Sequence, residues 1–115
     1  MKVAYIAGPY RGETESAVVT NIRHAEKYAI KYWKLGYAVV CPHKNSALFG
    51  GLAPDEVWLA GDLEILGRCD VVVMIPGWTR SVGAVAEELH ARRLGLEIIY
   101  PTLSEIANHE RETHP

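Results

Sequence analysis

The chain has little sulfur, little net charge and no long apolar run, and each shortage excludes something. Two cysteines in 115 residues cannot build a disulfide framework. Cys41 and Cys69 flank expected strands and read as buried thiols, with nothing that calls for an oxidising compartment. No metal centre is expected, because Cys41 and His43 lack two further ligands at zinc spacing. No run of apolar residues approaches a membrane span, and the N-terminus enters a strand without a signal-peptide pattern, so the expected location is the cytoplasm. A formal net charge of −2 gives no electrostatic reason to bind nucleic acid or an anionic membrane. A small anionic substrate stays open, since one local arginine suffices. Repeats, linkers and low-complexity segments are absent as well. One domain is expected over residues 1–109, followed by a polar tail over 110–115.

What the chain does have is strands alternating with helices. Expected strands lie at Val3 to Ala7, Tyr37 to Cys41, Asp70 to Ile75 and Glu97 to Tyr100. Expected helices run from about Thr14 to Leu35, from Pro54 to about Arg68, from Ser81 to Leu94, and from Leu103 to about His109. This order implies right-handed crossovers and a small doubly wound, Rossmann-like parallel sheet of four or five strands with helices on both faces. Ligands of such sheets bind beyond the carboxyl ends of the strands. That edge gathers the loops Gly8 to Gly12, Pro42 to Ala53, Pro76 to Ser81, and the turn after Tyr100.

The stretch from Asp70 to Ala91 reads as strand, loop and helix. Ser81 stands at the N-cap, and Val82, Val85, Ala86 and Leu89 form an apolar stripe expected to face the core. Glu88, with Arg92 four residues on, has the pattern of a solvated ion pair. Glu87 is flanked by Gly83, Ala84 and Ala91, so either a small molecule lies beside it or small residues simply fill helix positions. On the preceding helix Asp62 falls amid the apolar face of Trp58, Leu59, Ile65 and Leu66. Burial there would raise its pKa, as suits a proton donor, unless a backbone donor satisfies it. Two such carboxylates facing one pocket are the parts needed to cleave a glycosidic bond. Asp70, at the amino end of a strand, reads as structural.

The loop Gly8-Pro9-Tyr10-Arg11-Gly12 is neither a Walker loop nor a dinucleotide fingerprint. Its glycines still allow a ligand to approach backbone N–H groups, and Arg11 either grips a phosphate or is an ordinary solvated arginine. His43 and Asn45 follow the second strand towards the same edge, and Gly77 and Trp78 follow the third. Tyr10 and Trp78 suit either stacking on a flat base or packing as lids. His24, His90, His109 and His114 read as surface residues, and no serine or cysteine sits in a nucleophile elbow.

In order, Tyr5-Ile-Ala-Gly-Pro-Tyr10, Asn21 with Ala25 and Ala29, Gly36-Tyr-Ala-Val-Val-Cys-Pro-His43, Gly61-Asp62, Asp70-Val-Val-Val, and Ser81-Val-Gly-Ala-Val-Ala-Glu87 resemble the nucleoside 2-deoxyribosyltransferase-like superfamily. The resemblance reaches about Tyr100 and is closest to its small, poorly characterised members. It implies that Glu87 is the nucleophile attacking C1′ of the sugar and that Asp62 acts at the departing base. Gly8, Pro9, Tyr10, Arg11, His43, Asn45, Gly77, Trp78, Ser81 and Gly83 are the expected substrate contacts. Arg11 and Ser81 look similar to the branch that hydrolyses deoxynucleoside 5′-monophosphates, whereas base-exchanging transferases commonly have aspartate at the Ser81 position. Pro9-Tyr10, Glu88 and His90 depart from the better-known members. No cofactor is implied. The resemblance also implies a homo-oligomer in which a neighbouring subunit completes the site, with Ser104 or Asn108 as conceivable contributors. A non-catalytic nucleotide sensor is the alternative of another class.

Overall fold

Side-chain alternation in the first strand sets the two layers. In a computed structural model, which describes residues 1–47 and 49–102, strand β1 is Val3–Ala7, with Ala4 and Ile6 in one buried cluster and Tyr5 and Ala7 in another. Strands β2 (Ala38–Val40), β3 (Val71–Met74) and β4 (Glu97–Ile99) complete a four-stranded, all-parallel sheet in the order β2-β1-β3-β4. Helix α1 (Glu15–Lys34) covers one face, setting Ala25, Tyr28, Ala29 and Tyr32 against Ala4, Ile6, Val71, Val73 and Ile75. After the short helix α2 (Pro42–Asn45), helices α3 (Asp55–Leu66) and α4 (Val82–Leu94) cover the other face, where Leu66, Ala84 and Ala91 meet Tyr5, Ala7, Val72 and Met74. The doubly wound α/β architecture expected from the sequence is thus present, with four strands. Winding goes one way from β1 to β2 and the other way from β3 to β4. The crevice of such a sheet therefore opens beyond the carboxyl ends of β1 and β3.

Local chemistry explains the element ends. Thr14 caps α1 by accepting the Ala17 N–H at 3.0 Å, and Gly36, at φ 100°, lets the Tyr37 N–H reach back to the Tyr32 carbonyl. At the amino edge Asp70 accepts the Val3 N–H at 2.8 Å while its own N–H donates to the Val3 carbonyl. It ties β1 to β3 far from the carboxyl edge, a structural role. Helix α3 stops at Leu66 rather than Arg68, and the connection after β2 is shortened by α2. The expected helix 103–109 and the tail lie outside the described residues. No helix among the described residues is long and apolar enough to cross a membrane.

One expectation is overturned. The stripe Val82, Val85 and Leu89 does not face the core: these side chains are 89, 43 and 42% exposed. The face of α4 that packs inward is Ala84, Glu87, Glu88 and Ala91. Two alanines bring the helix close to the sheet, and both glutamates find tertiary partners there, which outweighs the apolar preference of the other face.

The close passage of β1 past β3 yields a stability prediction. A Cβ on the buried Gly8 would come within 2.3 Å of Ile75 Cγ1, and Ile75 is itself wholly buried. Gly8→Ala should therefore cost about 1–3 kcal/mol in urea unfolding, as overpacking does. Leu66→Ala, which opens a cavity instead, should cost about 2–5 kcal/mol.

Candidate functional site

Helix α4 aims its two glutamates in different directions. Glu87 accepts a hydrogen bond from the Tyr5 hydroxyl beneath it on β1, and both groups are buried. Glu88, also buried, accepts from Arg92 Nε at 2.9 Å and from the Tyr100 hydroxyl at 2.9 Å. It is therefore not the solvated ion pair that its spacing suggested, because Tyr100, just past β4, supplies a donor invisible to local sequence.

Asp62 projects half-buried from α3 on the same side of the sheet, close enough that its charge raises the pKa of both Glu87 and Tyr5. Burial raises the Asp62 pKa itself. Glu87 is pushed up to about 7 by burial, held back by the Tyr5 hydrogen bond and lifted by Asp62. Tyr5 is driven the same way by burial and by the two carboxylates, so its hydroxyl keeps its proton and remains a donor. Tyr5 and Glu87 are in direct contact, and Asp62 lies within electrostatic reach of both. Glu87, rather than Asp62, is the more deeply buried of the two.

The first loop is braced from several sides. Asn21 Nδ2 donates to the carbonyls of Tyr10 and Arg11 at 3.1 and 3.0 Å. His43, buried on α2, has Nε2 2.9 Å from the Pro9 carbonyl, and a carbonyl only accepts, so Nε2 carries the proton. Burial lowers the His43 pKa and keeps the ring neutral, and Tyr10 meets it edge-on. Arg11 is not free for a phosphate: it pairs with Asp55 at the start of α3, on the surface. Gly77, at φ 96°, turns the chain after β3 so closely that a Cβ there would lie 3.5 Å from Pro9 Cγ. The loops after β1 and β3 therefore touch at the switch point.

Ser81 caps α4, its Oγ accepting the Ala84 N–H at 3.2 Å, and a Cβ on Gly83 would meet nothing within 4 Å. The start of α4 is thus uncrowded at Gly83. Trp78 packs against the core cluster that contains Tyr5 and meets the Tyr100 ring at 5.9 Å. Asn45 is exposed beside a groove of about 390 Å³ at the β2 edge, lined also by Val39, Val40, Cys41, Lys44 and Ile65.

The model of the family described as Domain of unknown function (DUF4406) matches residues 1–100. The chain belongs to this family. No curated protein matches it. In this DUF4406 domain, Tyr5 partners Glu87 although sequence reasoning assigned it no role, and His24, expected at the surface, braces the loop after β3. Strand parity marks Tyr5, since it alternates onto the face that carries Asp62 and Glu87. His24 is not a free surface residue: its Nε2 lies 3.2 Å from the Pro76 carbonyl and its ring packs edge-on against Tyr28. Among the described residues no cluster of three or more metal-ligating side chains occurs. Ser104 and Asn108 lie outside the described residues.

The raised Glu87 pKa links protonation to stability. Against an ordinary value of 4.5, a folded value of about 7 means the folded state binds this proton more tightly than the unfolded state does. Stability should be full below about pH 4.5, decline as pH rises towards 7, and level off above it, a loss on the order of 3 kcal/mol. In Glu87→Gln most of this slope should vanish when urea midpoints are compared between pH 4 and 8.

Proposed function

We propose that this domain hydrolyses the N-glycosidic bond of a deoxynucleoside 5′-monophosphate. The observation that carries the reading is the buried cluster in which Tyr5 donates to Glu87 within electrostatic reach of Asp62. The resemblance of the chain to the nucleoside 2-deoxyribosyltransferase-like superfamily supports it, and so does the open, serine-capped start of α4.

In the form of the pair whose one proton sits on Asp62, the ionised Glu87 attacks C1′ of the sugar through an oxocarbenium-like transition state. The bond to the base breaks, its electron pair leaves with the base, and Asp62 supplies the proton the base requires. Asp62 then takes a proton from water, and the resulting hydroxide attacks C1′ of the glycosyl ester and frees the Glu87 carboxylate. Tyr5 holds one carboxylate oxygen in place and lowers the cost of ionising it. The N–H groups at the start of α4, with Ser81 and Gly83, receive the 5′-phosphate, and Gly8 to Tyr10 lie along the sugar. His43 holds Pro9 and thereby positions that loop. Arg11 reaches a phosphate only by exchanging Asp55 for it. No cofactor enters this scheme, the setting is the cytoplasm, and the assembly is a homo-oligomer.

Purified protein incubated with deoxynucleoside monophosphates and nucleosides, with and without a second free base, should release base on a chromatogram from the monophosphates. Glu87→Ala should reduce the rate by a factor on the order of 10³ or more, and Asp62→Asn by about 10²–10⁴. Incorporation of the added base would make the enzyme a transferase, and binding without cleavage would make the domain a sensor. Either outcome overturns the hydrolase reading.

The pH profile provides a separate test. kcat/KM should be bell-shaped, because the pair must hold one proton, and its limb near 7 is set by Glu87. In Tyr5→Phe that limb should move to higher pH, because the lost hydrogen bond is the one contribution that lowers the Glu87 pKa.

A further inference from the structure

The segments beyond the carboxyl ends of β1, β2 and β3 carry three cations, Arg11, Lys44 and Arg80. Two of them are occupied within the chain. Arg11 pairs with Asp55, and Lys44 pairs with Glu26, which also holds Arg23. Arg80 pairs with no carboxylate among the described residues. It is the cation at this edge that an incoming anion can take without breaking an ion pair.

Backbone geometry decides where its guanidinium lies. Gly77, at φ 96°, reverses the chain after β3 and opens the short 3₁₀ turn Trp78–Arg80, whose last N–H donates to the Gly77 carbonyl at 3.1 Å. The Arg80 side chain folds back over that glycine: a Cβ placed on Gly77 would stand 3.0 Å from Nη2 of Arg80 and 3.5 Å from Cγ of Pro9. The guanidinium therefore sits where the loops after β1 and β3 meet, at the mouth of the crevice, instead of reaching away into solvent. Ser81 follows directly as the cap of α4, and Glu87 comes about 9 Å further along the helix axis, a span of the order of a sugar phosphate.

An anionic substrate approaching Glu87 and Asp62 meets two acids, so a cation beside them decides whether it is favoured over its uncharged counterpart. A guanidinium suits that task, because its planar fork donates two parallel hydrogen bonds to phosphate oxygens. Recruiting Arg11 first costs the Asp55 pair, whereas recruiting Arg80 costs none. We infer that Arg80, rather than Arg11, grips the 5′-phosphate and sets the preference for nucleotides over nucleosides. The substrate class rests on the glycosidase reading; the choice of arginine rests on the ion pairs and on the turn at Gly77.

Binding can be read without turnover in a Glu87→Gln background, by titration calorimetry with deoxynucleoside 5′-monophosphates and with the matching nucleosides. Adding Arg80→Ala should lower the preference for monophosphate over nucleoside by about 10–100-fold, the effect of losing charge-assisted hydrogen bonds. Arg80→Lys keeps the charge but loses the fork and should fall between, while Arg11→Ala should change the preference far less. The urea midpoint of Arg80→Ala should match that of its parent, since no carboxylate among the described residues pairs with this side chain. The same preference, taken from rates of base release with Glu87 intact, should shift alike. No monophosphate binding in the parent, a preference indifferent to Arg80→Ala and Arg80→Lys, or a larger loss in Arg11→Ala would overturn the inference. Binding that depends on Arg80 without any base release would uphold it and remove the glycosidase reading. Base release whose preference ignores Arg80 would do the reverse.

Discussion

The hydrogen bond from Tyr5 to Glu87 constrains the rest of the molecule. An ionisable carboxyl buried between helix and sheet is costly unless a donor meets it, and Tyr5 is that donor. Meeting it requires α4 to turn its Glu87 face inward and to approach closely, which Ala84 and Ala91 permit. The second glutamate is then buried as well and must find Tyr100 and Arg92. The apolar stripe is left outside as a consequence. A single polar contact thus accounts for the orientation of the helix, for a second buried network on its other flank, and for a hydrophobic surface strip.

Ionisation and stability pull against each other at this point. Burial raises the Glu87 pKa towards neutrality and so makes the ionised form expensive, while the Tyr5 hydroxyl offsets part of that cost. Asp62 adds to it, since two carboxylates within electrostatic reach disfavour joint ionisation. The proposed reaction, which needs both a nucleophile and a proton donor, would use the form of the pair that holds one proton. The loops around it are fixed rather than loose: Asn21, His43 and His24 each bind a carbonyl in the segments that follow β1 and β3.

Much of the fold was legible in the sequence because its signals are local. The β-branched run Val71 to Val73, the turn residues Gly8-Pro9 and Gly36, and the cap residues Thr14 and Ser81 each act within a few residues of themselves. Asp62 and Glu87 could be singled out for the same reason, from the small or apolar company each keeps along its helix. The inward face of α4 could not be read this way. Counting apolar residues selects Val82, Val85 and Leu89, but the deciding partners, Tyr5 and Tyr100, stand 82 and 12 residues away from the glutamates they meet. The diversion of Arg11 to Asp55 and of His24 to Pro76 is likewise long-range chemistry.

The most direct test of the central claim is to look for the covalent glycosyl-enzyme. Protein mixed with a deoxynucleoside 5′-monophosphate and quenched in acid during turnover would be digested and weighed by mass spectrometry. The account predicts a deoxyribosyl phosphate adduct on the peptide that carries Glu87, absent from Glu87→Gln. Release of base with no adduct on that peptide, or an adduct on another residue, would contradict it.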